Sequence, residues 1–166
     1  MRFQWIDYNN KYADLVNSWL DEEAKQYTGC DDGWEPFYEY WKNDGETILG
    51  ETFWCKLITD DNIPFAVIAL GLYGNTYTIM EYVVDPQRRG TGYGTSGLRE
   101  LLRNSSFIIG KNINCAEAII YPNNIASQKV FEKAGFVFDH VHPDGDAYYY
   151  TYRKNDIHSA RLIRQV

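Results

Sequence analysis

The sequence predicts a mixed α/β (α+β) fold, and three observations lead to that prediction. The chain has 166 residues, a length typical of one domain of roughly 100–200 residues. Three consecutive segments have strand character, and the later strand-like segments alternate with helix-like ones. A helical crossover joins the third strand to the fourth, so we expect these two to be parallel within a mostly antiparallel sheet that has helices on both faces.

Two helices are expected before the sheet. Apolar residues at helical spacing (Tyr12, Leu15, Val16, Trp19 and Leu20) predict an amphipathic helix from Asn10 to about Tyr27. Thr28-Gly29 ends it. A second, short helix begins near Trp34, with Pro36 in its first turn, and carries more aromatic residues.

The strands follow, separated by turn signals. Residues 52–59, 64–73 and 76–84 are rich in β-forming residues, and Gly74-Asn75 between the last two is typical of a hairpin turn. These three segments predict an antiparallel meander. The remaining predicted elements are a helix ending at Ile109, a strand over 113–121, a helix over 125–134, and strands over 136–141 and 147–153 joined by a turn at 143–145.

Composition and charge exclude several classes of function. The chain is 45% hydrophobic and 23% charged, as expected for a globular protein, and its net charge of −7 argues against nucleic-acid binding. Residues 1–86 carry 5 basic and 16 acidic residues, whereas residues 87–166 carry 11 basic and 7 acidic ones. This division suits a site where a cationic molecule meets an anionic one, although uneven surface charge explains it equally well.

The cysteines and apolar segments indicate the compartment. Cys30, Cys55 and Cys115 are odd in number and widely spaced, so we expect reduced thiols, a cytoplasmic location and no metal site. The N-terminal residues lack the apolar stretch of a signal peptide, and the longest apolar run, 64–73, is too short to cross a bilayer. We therefore expect no membrane association.

The most informative segment is the glycine-rich stretch Val83–Gly94, VVDPQRRGTGYG, between a strand and a helix. Glycines at 90, 92 and 94 allow a tight turn that exposes backbone amides at a helix N-terminus, where anions are favoured. Arg88 and Arg89 add positive charge. The segment predicts a pyrophosphate site, and the alternative is a glycine-rich turn with no ligand.

Two common nucleotide loops do not fit this stretch. A P-loop needs Lys followed by Ser or Thr after its last glycine, and Tyr93-Gly94-Thr95 has no Lys. A Rossmann loop has G-x-G-x-x-G spacing, whereas the spacing here is G-x-G-x-G after an antiparallel meander.

Two motifs resemble those of the GNAT superfamily of N-acetyltransferases. Gln87–Gly92, QRRGTG, resembles the family's Q/R-x-x-G-x-G/A acetyl-CoA loop, and Val84-Asp85-Pro86 resembles the V-x-P before it. Asn124–Phe136 resembles the second block, N-x-x-A/S followed by Y/F-E-K-x-G-F. The resemblance implies one acetyltransferase domain over 1–166, with an acceptor-side helical region (1–50), a sheet and acetyl-CoA core (51–153) and a tail (154–166).

The resemblance also implies how acetyl-CoA would be held, beside a parallel strand pair that splays apart. Val83 and Val84 would pair with the pantetheine amides, and Asn124 and Ser127 would lie along the pantetheine arm. Asn124 is equally suited to cap a helix. The pyrophosphate would be bound by backbone amides of Arg89, Gly90, Thr91, Gly92, Tyr93 and Gly94.

Direct acetyl transfer needs a base, because a lysine-like amine with a pKa of about 10.4 is mostly protonated at pH 7. Glu81 is our candidate, since it is the only carboxylate in the third predicted strand and has apolar neighbours that would raise its pKa. The alternative is an outward-facing, solvated Glu81. Phe131 stands where many family members have a Tyr as the acid, so either the thiolate leaves unaided or Tyr121 substitutes.

The acceptor is predicted less directly. Asp32, Trp34, Glu35 and Asp144 would form an acidic, aromatic rim suited to a cationic amine. The general layout is similar to that of aminoglycoside N-acetyltransferases. We therefore expect acetylation of a small-molecule amine such as an aminoglycoside or polyamine. Acetylation of a protein N-terminus or lysine, and a non-catalytic acyl-CoA-binding module, are the alternatives, and a homodimer is left open.

Overall fold

The computed structural model describes residues 2–43 and 52–154. Its centre is a seven-stranded sheet with the order β1-β2-β3-β4-β5-β7-β6. All neighbouring strands are antiparallel except β4 and β5, which are parallel, as the sequence predicts. The strands are β1 (Phe3–Asp7), β2 (Thr52–Asp60), β3 (Ile63–Tyr73), β4 (Thr76–Val84), β5 (Cys115–Ile120), β6 (Val137–Val141) and β7 (Tyr148–Arg153). The predicted tail lies outside the described residues from position 155 onwards.

In the described ranges, five α-helices cover the two faces of this sheet. They are α1 (Ala13–Trp19), α2 (Glu22–Tyr27), α3 (Trp34–Asn43), α4 (Tyr93–Ile109) and α5 (Ile125–Ala134). Helices α1–α3 pack on one face over buried residues that include Val16, Leu57 and Val83. Helices α4 and α5 cover the other face with a core that includes Leu98 and Phe131.

The N-terminal end of the chain differs from the sequence prediction in two respects. The single helix expected from Asn10 to about Tyr27 is divided, because Leu20 leaves helical geometry and Asp21 is extended (φ −70°, ψ 176°). The Asp21 side chain accepts a hydrogen bond from the Ala24 amide at 2.9 Å and so caps α2. Strand β1, which pairs antiparallel with the end of β2 at the sheet edge, was not predicted.

A β-bulge interrupts β4 in its middle. Ala69 of β3 lies opposite Glu81, but Leu70 lies opposite Ile79, so Met80 is the extra residue. In an unbroken strand Ile79, Glu81 and Val83 would share one face. The bulge instead leaves Ile79 in the core under α4 and turns Glu81 and Val83 toward the face covered by α1–α3.

Gly97 is the point of closest approach between α4 and the sheet. A Cβ atom there would lie 2.7 Å from the Tyr82 hydroxyl and 3.1 Å from Ile58 Cδ1. The tyrosine cannot easily retreat, because its buried hydroxyl donates a hydrogen bond to the Gly94 carbonyl at 2.8 Å.

We therefore expect Gly97→Ala to lower the free energy of unfolding by about 1–3 kcal/mol, despite the higher helix propensity of Ala. Urea denaturation of the variant measures the change. Ser106→Ala, at an exposed position of the same helix, is the control and should be nearly neutral. Equal or greater stability of Gly97→Ala would show that α4 does not depend on this contact.

Candidate functional site

A cleft opens where β4 and β5 separate. The two strands pair only between Tyr77–Ile79 and Ala116–Ala118. Beyond that, residues 81–84 pair with β3 on one side and with no described strand on the other. The space between the diverging strands has a volume of about 870 Å³. Its lining comes from α2, both diverging strands, the glycine-rich loop, α5 and the turn before β7.

The glycine-rich loop forms one end of the cleft. Gly90 (φ 73°) and Gly92 (φ 88°) have left-handed backbone conformations that favour glycine, and Gly92 directly precedes α4. A Cβ atom at either position would have no atom within 4 Å, so this backbone faces open space. The first amides of a helix lack helical partners, and therefore this end of α4 can bind an anion.

The polar side chains of the glycine-rich loop form hydrogen bonds with other groups of the protein. Arg88 donates to the Tyr93 hydroxyl at 2.9 Å, and that hydroxyl donates to Asp60 at 2.7 Å. Arg89 reaches toward α2, and Thr91 donates to the Arg88 carbonyl. The anion-binding capacity of the loop therefore resides in its backbone rather than in the two guanidinium groups.

The predicted pantetheine residues lie on the two sides of the same cleft. Val83 and Val84 line it from the end of β4, and Asn124 and Ser127 line it from the start of α5. Asn124 Oδ1 accepts a hydrogen bond from the Ser127 amide at 3.1 Å, so it is the cap of α5. Gly94 also lines the cleft.

Glu81 lies within the cleft, not on the outer surface. Its carboxylate accepts a hydrogen bond from the Gly29 amide at 2.9 Å, in the loop after α2. Burial raises the pKa of Glu81 from 4.5 to about 7, and the hydrogen bond from Gly29 opposes that shift only in part. A carboxyl group with this pKa exchanges a proton readily at neutral pH, which is what a general base requires.

The predicted acceptor rim is not assembled as expected. Trp34 is fully buried and packs against Tyr8 and Phe37, so its assignment to the rim was wrong. Asp32, Glu35 and Asp144 are exposed, but they are not among the residues that line the cleft.

Other acidic and aromatic residues occupy the mouth of the cleft. Glu23 and Tyr27 are four residues apart on α2 and therefore share a face, a spacing that the sequence contained. The rings of Tyr149 and His142 are stacked with their centres 5.9 Å apart, and Asp146 Oδ1 lies 3.2 Å from His142 Nδ1. Sequence reasoning missed these residues, because the sheet brings together positions more than a hundred residues apart.

Two aromatic residues bear on the protonation of a leaving group. Phe131 lines the cleft, is 4% exposed and packs against Phe136. Tyr121 also lines the cleft, just beyond β5, and its ring centre is 6.1 Å from that of Tyr27. Tyr121 is 47% exposed and carries a hydroxyl, which Phe131 lacks.

Metal-binding clusters and membrane-spanning helices are both absent from residues 2–43 and 52–154. In these ranges no group of three or more His, Cys, Asp or Glu side chains is arranged to hold a metal ion. None of the helices in the same ranges combines the length and the apolar character needed to cross a bilayer.

Solved structures share this fold at low sequence identity. The aminoglycoside acetyltransferase AAC(6')-Ib in complex with coenzyme A matches with a TM-score of 0.73 and 15% identity, over 96% of this chain and 99% of that one. A spermidine N-acetyltransferase chimera from Vibrio cholerae and hSSAT matches with a TM-score of 0.66 and 12% identity, over 94% and 98% of the two chains. The ribosomal-protein-S18-alanine N-acetyltransferase from Escherichia coli matches with a TM-score of 0.60 and 13% identity, over 92% and 94%.

The sequence comparisons identify the family. No curated protein is significantly similar to this chain in sequence. The sequence model described as the acetyltransferase (GNAT) family matches residues 13–136, which is most of the chain. This range contains the glycine-rich loop, the diverging strands and Glu81. The chain therefore belongs to the GNAT family of acetyltransferases.

Proposed function

We propose that the chain transfers the acetyl group of acetyl-CoA directly to a primary amine of a small cationic molecule, such as an aminoglycoside or a polyamine. This proposal rests on one observation, namely that a single cleft contains both an anion-binding backbone and a carboxyl group able to act as a base. Backbone amides that suit a pyrophosphate lie at one end, and a carboxyl group with a pKa of about 7 lies on the strand between them and the acceptor side.

The cleft fits the coenzyme. The open space in front of Gly90 and Gly92 leaves room for a pyrophosphate against the amides of residues 90–94, whereas the Arg89 amide donates to the Pro86 carbonyl at 3.4 Å. Val83 and Val84 lie where β4 has no strand partner on the cleft side, and the Val84 carbonyl there accepts a hydrogen bond from Arg89 Nε at 3.1 Å. We assign the pantetheine amides to the remaining backbone groups of this stretch, with Asn124 and Ser127 across the cleft. When bound, acetyl-CoA supplies the acetyl group as a thioester.

Glu81 acts as the base in this proposal. At pH 7 the neutral form of a lysine-like amine is disfavoured by about 4.6 kcal/mol. Glu81 accepts the ammonium proton, directly or through water, and thereby offsets part of that penalty. The Gly29 amide holds the carboxylate in place and still leaves its second oxygen able to accept a proton.

The leaving thiolate needs little help, because a thiol has a pKa of only about 8.5. Phe131 cannot donate a proton to it. We assign any such donation to Tyr121, a half-exposed tyrosine among the residues that line the cleft.

The acceptor-side charges favour a cationic small molecule. Glu23, Glu81 and Asp146 line the cleft together with Tyr27 and Tyr149, and this combination attracts amines by charge and by contact with aromatic rings. Structural neighbours that act on aminoglycosides and on spermidine agree with this choice. A protein acceptor is the second candidate, because another structural neighbour is a ribosomal-protein-alanine N-acetyltransferase.

Thiol release from acetyl-CoA across a panel of amines tests the acceptor class. We expect release with kanamycin or spermidine and much less with peptides that end in alanine or carry lysine. Release only with peptides would favour the second candidate, and coenzyme binding without release for any amine would favour a non-catalytic module.

Asp146→Asn tests the proposed acceptor contact. Loss of one carboxylate at the mouth should raise KM for the cationic acceptor about tenfold and leave KM for acetyl-CoA unchanged. Asp144→Asn, in the same turn but outside the cleft, is the matched control. Equal effects of the two substitutions would show that Asp146 does not contact the acceptor.

A further inference from the structure

We infer that Arg89 is a positioning residue that ties the glycine-rich loop to α2, so that acceptor binding depends on the state of the coenzyme loop. This inference rests on the proposed function, because it assigns the two ends of the cleft to the two substrates. The inference concerns only the Arg89 side chain, because the Arg89 backbone amide donates to the Pro86 carbonyl.

The Arg89 guanidinium spans the gap between the two elements. Its Nε donates to the Val84 carbonyl at 3.1 Å, which fixes the side chain against the end of β4. One terminal nitrogen donates to Asp21 Oδ2 at 2.7 Å and the other to the Trp19 carbonyl at 3.0 Å. Each guanidinium nitrogen therefore has an acceptor, and two of the three acceptors lie at the α1–α2 junction.

Asp21 serves two partners at once. One of its oxygens accepts from the Ala24 amide and caps α2, while the other accepts from Arg89. Burial raises the pKa of Asp21, but the hydrogen bonds from the Ala24 amide and from Arg89 outweigh that effect and hold the pKa below its usual range. The ion pair and the helix cap thus share one carboxylate, so loss of either partner affects the start of α2.

The segment that begins at Asp21 leads to the acceptor side of the cleft. Glu23 and Tyr27 of α2 line the mouth, and Glu23 lies 3.7 Å from Arg89. The chain then reaches Gly29, whose amide holds Glu81. This segment is therefore attached to the coenzyme loop at its start and to Glu81 at its end.

A phosphate ligand is the other role open to an arginine in this loop. To take it, the side chain would have to leave a carboxylate and two carbonyl oxygens. The geometry favours the link to α2. The two roles predict different results for the Asp21→Asn variant.

The test compares Arg89→Met, Asp21→Asn and the double variant. Asn at 21 can still cap α2, so this substitution removes the charge without removing the cap. We expect each single variant to raise KM for the amine about tenfold, and the double variant to show a KM no higher than that of either single variant. The Kd for CoA, measured by calorimetry, should change less than about threefold in all three variants. Lys25→Ala, which removes an ion pair with Glu22 on the same helix, is the control and should change neither constant.

Three outcomes would overturn the inference. If Arg89→Met weakens CoA binding at least tenfold and Asp21→Asn does not, Arg89 is a phosphate ligand. If the effects of the single variants add in the double variant, the two residues act separately. If both variants lower kcat and the melting temperature together and leave KM for the amine unchanged, the ion pair supports only the fold.

Hydrogen exchange separates this inference from the proposed function. CoA should slow amide exchange in Ala24–Gly29 of the wild type, and this slowing should disappear in Arg89→Met although CoA still binds. If CoA slows exchange in a wild type that acetylates no amine, the link between Arg89 and α2 is supported and the proposed activity is refuted. Unchanged exchange in a CoA-bound wild type, or no CoA binding, would refute the link.

Discussion

Replacement of Glu81 by Gln is expected to lower kcat by about 10²–10⁴-fold, the usual contribution of a general base. Gln keeps an oxygen that can accept the Gly29 hydrogen bond, so the loop after α2 should stay in place. It cannot take a proton from an ammonium group. We therefore expect Kd for CoA, measured by calorimetry, to be unchanged while turnover falls.

The pH dependence gives a second, independent test of Glu81. In the proposed mechanism the active form of Glu81 is the ionised one, and its pKa is about 7. The ratio of wild-type to variant kcat/KM should therefore rise with pH through about 7 and then become constant. Taking this ratio removes the contribution of the amine, whose own deprotonation affects both proteins equally.

The raised pKa of Glu81 also predicts a difference in stability. The folded state binds this proton more tightly than the unfolded state, in which the pKa is near 4.5. The stabilising effect of the proton is present below pH 4.5 and is lost as the pH rises through 7. As the pH rises from 5 to 8, the free energy of unfolding of Glu81→Gln should therefore increase by on the order of 1–3 kcal/mol relative to that of the wild type. Urea unfolding at the two pH values measures this difference.

Glu117→Gln provides the matched control for these measurements. Glu117 is a half-buried carboxylate on the neighbouring strand, it accepts a hydrogen bond from Thr78 at 3.0 Å, and it does not line the cleft. Its replacement should leave the pH profile unchanged. An equal loss of turnover in both variants, or a Glu81→Gln profile that still follows a group with a pKa near 7, would remove Glu81 from the mechanism.

The elements with strong local signals were predicted well from sequence. The bounds of α5 match the prediction, because Asn124 caps its start and Gly135, at φ 109°, ends it. The three strands of the meander also agree to within a residue or so, since they alternate with clear turn signals. Local sequence therefore sufficed wherever a cap, a turn or a β-rich run fixed the ends of an element.

What sequence missed depends on contacts between distant segments. The break between Leu20 and Asp21 is stabilised in part by Arg89, nearly seventy residues away. Strict alternation along β4 places Glu81 on the same side as Ile79, and only the bulge at Met80 reverses this. For that reason the sequence could nominate Glu81 as a candidate base, whereas it left the direction of the side chain open.

The predicted acceptor rim agrees least well with the structure, for a related reason. Trp34 has a polar, acidic neighbourhood in sequence, yet α3 packs it into the core beside Tyr8. The residues that do line the mouth, such as Tyr27 and Asp146, come from elements that meet only through the order of strands in the sheet. No local pattern contains that information.

Gly92→Val is expected to weaken CoA binding by about 100-fold or more, because it puts a branched side chain into the open space before the first amides of α4. The left-handed backbone at Gly92 also disfavours Val by about 1–2 kcal/mol, which by itself would only lower stability. Calorimetric titration with CoA measures the effect without needing an acceptor. Any loss of binding must then be separated from loss of fold.

Gly110→Val makes that separation. Gly110 ends the same helix, has a similar left-handed conformation (φ 70°) and does not line the cleft, and a Cβ atom added there would also have no atom within 4 Å. Both variants should show a similar fall in unfolding free energy, and only Gly92→Val should lose CoA. If folded Gly92→Val bound CoA as tightly as Gly110→Val, the amides at the start of α4 could not be the pyrophosphate site, and the coenzyme would have to bind elsewhere in the cleft.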